Sequence, residues 1–255
     1  MEIGLLILGL SAGILSGLFG IGGGVLIVPV LLMFFGMDML SANATSLAAM
    51  VLPVGIFGVI QYYKSGLLNI KFVLWISAGL IVGSFFGAEI ATAINNHVLT
   101  IAYTVFLLYV CLSFWGVFGY IGKAIAIPKG NIAIPKNIYT LLVMGFFAGI
   151  IAGMFGKGGG IVIVPILVGL FGFSYKEAAA TSLAALLPPV GLPAIIIYAQ
   201  NGNLDILYAG LIAGGLIVGT LFGSKMAIKL PSAIFKKLYA FFLLVVVVQL
   251  VVKLF

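Results

Sequence analysis

The chain has 255 residues, of which 64% are hydrophobic and 7% charged, and its mean hydropathy is +1.38. Soluble domains carry roughly a quarter charged residues, so a soluble globular fold is excluded. The net charge of +7 comes from lysines scattered between apolar runs, a pattern of topology determinants that gives nucleic acid no basic patch to bind. Cys111 is the only cysteine, so no intrachain disulfide can form, and its apolar neighbours predict an inert buried thiol.

Taken in chain order, the first half is predicted to form apolar segments over 3–19, 25–36, 43–62, 70–93 and 98–121. The N-terminal segment lacks a positively charged leader region and an evident cleavage site, so it is expected to remain in the mature protein. Residues 122–137, with two prolines and three lysines, break the pattern and are expected to form a cytoplasmic linker. The second half resumes with segments over 138–155, 161–172, 178–199, 205–229 and 233–255. Most of these runs match the length of a helix crossing about 30 Å of hydrocarbon. An all-α, polytopic membrane protein is therefore expected, with repeats over 1–121 and 138–255.

The two halves are copies. Gly13 to Pro29, GILSGLFGIGGGVLIVP, aligns with Gly149 to Pro165, GIIAGMFGKGGGIVIVP, an offset of 136 (149 minus 13). ATSLAA recurs at Ala44 and Ala180, PVG at Pro53 and Pro189, and GLIVG at Gly79 and Gly215. Close to half of the positions over 13–89 are identical to their copies. Lysines also alternate between copies. Lys64 and Lys71 flank the third loop of the first half, where the second half has Asp205. Lys225, Lys229, Lys236 and Lys237 flank the fourth loop of the second half, where the first has Glu89 and His97. Because lysine-rich short loops stay in the cytoplasm, equivalent loops are expected on opposite faces, which makes the repeats inverted and puts both termini outside.

The second segment of each half is too short to cross the membrane, reaching roughly 16 to 18 Å at 1.5 Å per residue. A short apolar helix after a glycine cluster, present in both halves, is the pattern of a discontinuous or re-entrant helix lining a central site. Glycine accepts the backbone reversal and lets amide N–H groups approach a ligand, and the following helix N-terminus favours negative charge. Gly22, Gly23 and Gly24, with Gly158, Gly159 and Gly160, are therefore candidate substrate-binding residues. Asn43, Thr45 and Ser46 join them, as do Thr181 and Ser182, whose hydroxyls are able to cap or to donate toward the same centre. Lys157 replaces Ile21 of the first copy and is a candidate anion ligand or a snorkelling loop residue. Pro53 and Pro189 are expected to kink their helices, with gating as a second role. Glycines at four-residue spacing, such as Gly9, Gly13 and Gly17 or Gly79, Gly83 and Gly87, are expected to pack helices. Gln61, Tyr62, Tyr198 and Gln200 are expected at a membrane interface. His97, Glu89, Glu177 and Asp205 are expected at segment ends.

The repeated G-x-x-x-G-x-x-G-x-G-G-G-x-x-x-x-P and A-T-S-L-A-A pattern resembles the sulfite exporter TauE/SafE family, also called the TSUP anion permeases, over nearly the whole chain. The resemblance implies a multi-pass carrier in the plasma membrane of a bacterium or archaeon, with sulfite, sulfonates or related organic anions as substrates. The expected function is secondary transport by alternating access around a midplane site, with a coupling proton or cation as a further partner. The alternative is a passive anion channel, or a transporter of another small solute. No cofactor, metal site or catalytic residue is expected. GKGGG lacks the Ser or Thr that a phosphate-binding loop places after its lysine, and one histidine and one cysteine leave little for an enzyme to use.

Overall fold

The structure is a computed structural model that describes residues 2–20, 22–115, 139–156, 159–169 and 171–231, with 234, 241, 244, 245 and 248. The expected linker 122–137, Lys157 and Gly158 lie outside the described residues. Among those residues there are eleven helices and no strand. They are α1 (Glu2–Phe19), α2 (Gly24–Phe34), α3 (Met39–Ala49), α4 (Ile56–Lys64), α5 (Ile70–Ala93), α6 (Asn96–Trp115), α7 (Tyr139–Phe155), α8 (Gly160–Gly169), α9 (Tyr175–Ala185), α10 (Leu192–Gln200) and α11 (Ile206–Lys229). Helices α3, α4 and α5 have the same bounds as α9, α10 and α11 once 136 is added.

Three of the helices, α1, α5 and α11, are long and apolar enough to cross a membrane. At 24 residues each, α5 and α11 reach about 36 Å, more than the hydrocarbon core needs. Side chains cap their starts, with Asn69 accepting from the Lys71 N–H and Asp205 from the Tyr208 N–H. The third segment of each half departs from its expected form. The runs 43–62 and 178–199 are each divided into two helices, α3 with α4 and α9 with α10, instead of kinking once. Proline supplies no N–H and clashes with the preceding turn. The α3 ladder therefore ends with Val51 N–H donating to Ala48 O, and α4 restarts with Ile56 N–H donating to Pro53 O. Pro188 and Pro189 act likewise between α9 and α10, where Leu192 N–H donates to Pro189 O.

Glycine stripes set the packing. A Cβ on Gly9, Gly13 or Gly17 of α1 would meet the carbonyl of Ile212, Leu216 or Thr220 on α11, and Gly215, Gly219 and Gly223 face α1 in return. The numbers rise together, so α1 and α11 run parallel with their backbones in contact. Gly145, Gly149 and Gly153 of α7 meet Ile76, Leu80 and Ser84 of α5 in the same way. Adding 136 to one partner and subtracting it from the other converts the first set of contacts into the second. Each half thus places its long helix against the first helix of the other half.

The outer surface is apolar. Ile3, Ile7, Leu74, Phe85, Phe86, Phe147 and Phe222 are exposed, whereas Ser46, Ser84, Ser182 and Thr220 are buried. That arrangement suits lipid outside and hydrogen-bonded polar groups inside.

Candidate functional site

The turn after α1 reverses the chain through Gly20 (φ +69°) and Gly23 (φ +77°), and the turn after α7 does so through Gly156 (φ +66°) and Gly159 (φ +74°). These left-handed conformations strain any residue with a side chain. The missing side chains also make room, since a Cβ on Gly20 would strike the Ala179 backbone of α9 and one on Gly156 would strike Asn43 of α3. Ser182 Oγ donates to Gly20 O at 2.7 Å, and Ser46 Oγ donates to Gly156 O at 2.7 Å. Asn43 Nδ2 adds a bond to Met154 O at 2.8 Å, with no counterpart at Ala179. Each glycine turn is held by a helix of the opposite half.

Both turns sit near the mid-length of a long helix. Gly23 lies against Leu216 of α11 and Gly159 against Leu80 of α5. The interruptions between the short helices lie at a similar level. Thr220 Oγ1 donates to Val54 O at 2.7 Å, Ser84 Oγ to Val190 O at 2.7 Å, and Ser77 Oγ to Ala185 O at 2.8 Å. Backbone freed from a helix at that depth is expensive unless it is hydrogen-bonded. Here, hydroxyls from α5 and α11 satisfy these carbonyls.

Donors are treated differently from carbonyls. Helices α3, α5, α9 and α11 begin with a side-chain cap from Asp38, Asn69, Ser174 and Asp205, and the Ser174 cap is completed by Glu177 in a capping box. Helices α2, α4 and α10 begin at Gly23, Gly55 and Gly191, with no side-chain cap. The uncapped starts are the ones beside the turns and interruptions. Free N–H groups and the positive end of a helix dipole attract anions.

Of the expected binding residues, Gly22, Gly23, Gly24, Gly159 and Gly160 are buried, and Gly22 lines a small cavity of about 20 Å³. Ser46 and Ser182 are buried with their protons committed to the glycine turns. Thr45 Oγ1, Thr181 Oγ1 and Asn43 Oδ1 are fully buried and have no hydrogen-bond partner, which is unusual for native interiors. Thr45 and Thr181 are equivalent positions, one turn before the end of α3 and of α9. Pro53 is exposed on an open cleft of about 670 Å³ with Leu187 and Pro188, and Pro189 is exposed at the second interruption. Glu177 and Asp205 act as helix caps, and His97 and Glu89 are exposed.

Tyr62 and Tyr198 overturn the expectation of an interfacial position. Both are 0% exposed, with Tyr62 donating to Gly17 O at 2.7 Å and Tyr198 to Gly153 O at 2.8 Å. The glycine stripe leaves these carbonyls room for an outside donor, and the phenol reaches in from α4 or α10. The sequence reading missed Ser16, Gly55, Gly191, Ser84 and Thr220. Except for Ser16, whose counterpart is Ala152, their signal is recurrence, since Gly55 with Gly191, Ser84 with Thr220 and Tyr62 with Tyr198 are each separated by 136.

Apolar outer helices, a buried hydroxyl network and interrupted inner helices define a helical membrane protein. The profile of the sulfite exporter TauE/SafE family matches residues 5–250, and the chain belongs to that family of membrane transporters. It is 27% identical to the probable membrane transporter protein YunE of Bacillus subtilis, over 87% of this chain and 85% of the relative. It is 29% identical to the probable membrane transporter protein MJ0441 of Methanocaldococcus jannaschii, over 91% and 87%. No solved structure gives a significant match.

Proposed function

We propose that the chain is a secondary transporter of small anions, such as sulfite, sulfonates or related organic anions, in the plasma membrane of a bacterium or archaeon. Substrate binds at mid-depth between two inverted repeats, 1–121 and 138–255, and reaches either side by alternating access. The observation that carries this reading is the contrast in caps. Helices α2, α4 and α10, which start beside a glycine turn or an interruption, carry no side-chain cap, while α3, α5, α9 and α11 cap theirs.

Inversion is supported by chain direction. Thr220 meets Val54 and Ser224 meets Gly58, so α4 runs parallel to α11. The short turn 65–69 keeps the start of α5 near the end of α4, where Lys64 and Ile70 line one cleft. The start of α5 is thereby brought toward the end of its copy α11, which places Lys64, Lys71, Lys225 and Lys229 toward one face, in keeping with the preference of lysine for the cytoplasm. Two equivalent structures that trade places across a shared centre are the basis of alternating access.

The test is counterflow in proteoliposomes. Vesicles preloaded with unlabelled sulfoacetate should accumulate labelled sulfoacetate transiently, with saturation. Flux that rises linearly with concentration and shows no counterflow would mean a channel, and indifference to a panel of sulfite, sulfonates and carboxylates would remove the anion reading.

A further inference from the structure

The cavity beside Gly22 joins features from both halves. Gly22, just before α2, and Gly55, just before α4, line it together with Ser16 of α1. Its remaining walls include Leu183, Leu186 and Leu187 from the second half. Neither α2 nor α4 has a side-chain cap, so two positive helix ends converge on one small space. Ser16 supplies the second observation. It is 3% exposed, and its hydroxyl has no hydrogen-bond partner in the described chain, unlike the buried hydroxyls of Ser46, Ser77, Ser84 and Ser182. A buried hydroxyl with no partner beside two uncapped N-termini is a donor set without an acceptor. The equivalent position in the second half is Ala152, so the arrangement is not duplicated.

A volume of about 20 Å³ has room for roughly one water molecule, too little for a sulfonate or sulfite group. Leu187 is the side chain common to this cavity and to the 670 Å³ cleft that runs toward exposed Lys64. It lies just past the end of α9, at the start of the α9–α10 interruption, with its N–H held by Ala184 O, so only its side chain need turn. Movement of Leu187 would join the two spaces.

We infer that Ser16, Gly22 and Gly55 form the seat of the oxyanion head, closed in this structure, and that Leu187 is the gate between that seat and the cleft at Lys64. The inference rests on the anion-transport reading above and deepens it, since it assigns the seat to one half. The donors would be the Ser16 hydroxyl and first-turn amides of α2 and α4 other than Ile56, whose N–H is given to Pro53 O, with leucines of the second half covering the ligand.

The experiment uses the full chain in lipid nanodiscs, with Cys111→Ser as background and Ser16→Cys as the reporter, labelled by a charged maleimide. Sulfoacetate at ten times its dissociation constant should slow labelling about tenfold by mass action. Ala152→Cys should label without protection or remain unlabelled. Adding Leu187→Ala to Ser16→Cys should speed labelling, and Leu187→Trp should slow it. Should Ser16→Cys itself bind sulfoacetate and yet be unprotected, or should Ala152→Cys be protected equally, the seat is wrong even though the transporter reading stands, whereas loss of binding in Ser16→Cys with binding kept in Ala152→Cys would support the seat. Should Leu187 variants leave the rate unchanged, the gate is wrong. Absence of transport for every anion in the panel would remove the reading beneath both.

Discussion

Thr45 and Thr181 are the residues whose burial is hardest to account for by structure alone. Leaving a hydroxyl buried without a partner costs about 1–3 kcal/mol, and replacing it with a methyl of similar shape recovers part of that. Thr181→Val and Thr45→Val are therefore expected to raise thermal stability in detergent, by up to about 1 kcal/mol. If the hydroxyls serve the substrate, the same variants will lower counterflow. Stability and transport then move in opposite directions, which packing residues do not produce. Unchanged transport in both variants would return the threonines to scaffold. Ser182 behaves differently because its proton is already given to Gly20 O. Losing it should destabilise the turn.

At the scale of elements, the close packing of α1 with α11 and of α5 with α7 depends on the absence of side chains. Gly83 lies against the Phe146 carbonyl, so a larger residue must push α5 away from α7. Overpacking of this kind costs about 1–3 kcal/mol or more, and Gly83→Leu is expected to reduce the yield of monodisperse protein sharply. Gly210 is a control on the same kind of helix, as nothing lies within 4 Å of the position a Cβ would take. Gly210→Ala should be neutral or gain up to about 1 kcal/mol from helix propensity. Melting curves by tryptophan fluorescence would separate the two. Equal loss in both would mean that the stripes are not the contact that holds the helices together.

For the whole molecule, the exchange of partners between halves has a direct consequence. Helix α1 has its glycine face on α11, α5 has its own on α7, and the two glycine turns are clasped by α3 and α9 of the opposite repeats. Neither half can bury these faces alone. Residues 1–130 expressed without the rest should be degraded or aggregate. Co-expression with 131–255 should restore a complex that copurifies and transports. A stable, monodisperse first half would show that the repeat folds independently and that the cross-half contacts are secondary.

The helical membrane character, the duplication and the glycine turns were legible in the sequence because each is local. A 20-residue apolar run must satisfy its backbone as a helix, and Gly23 and Gly159 are needed where the chain reverses. The division of the third segment was only half legible, since Pro53 marks a disturbance without fixing how far it spreads. The burial of Tyr62 and Tyr198, and the commitment of the Ser46 and Ser182 protons, could not be read from spacing. Each depends on a carbonyl far away along the chain, at Gly17, Gly153, Gly156 or Gly20. The sequence by itself determined which segments prefer lipid and where the backbone must bend. Only the tertiary structure decided which donors remain free, because a hydrogen bond to a distant carbonyl exists only after the two halves have met.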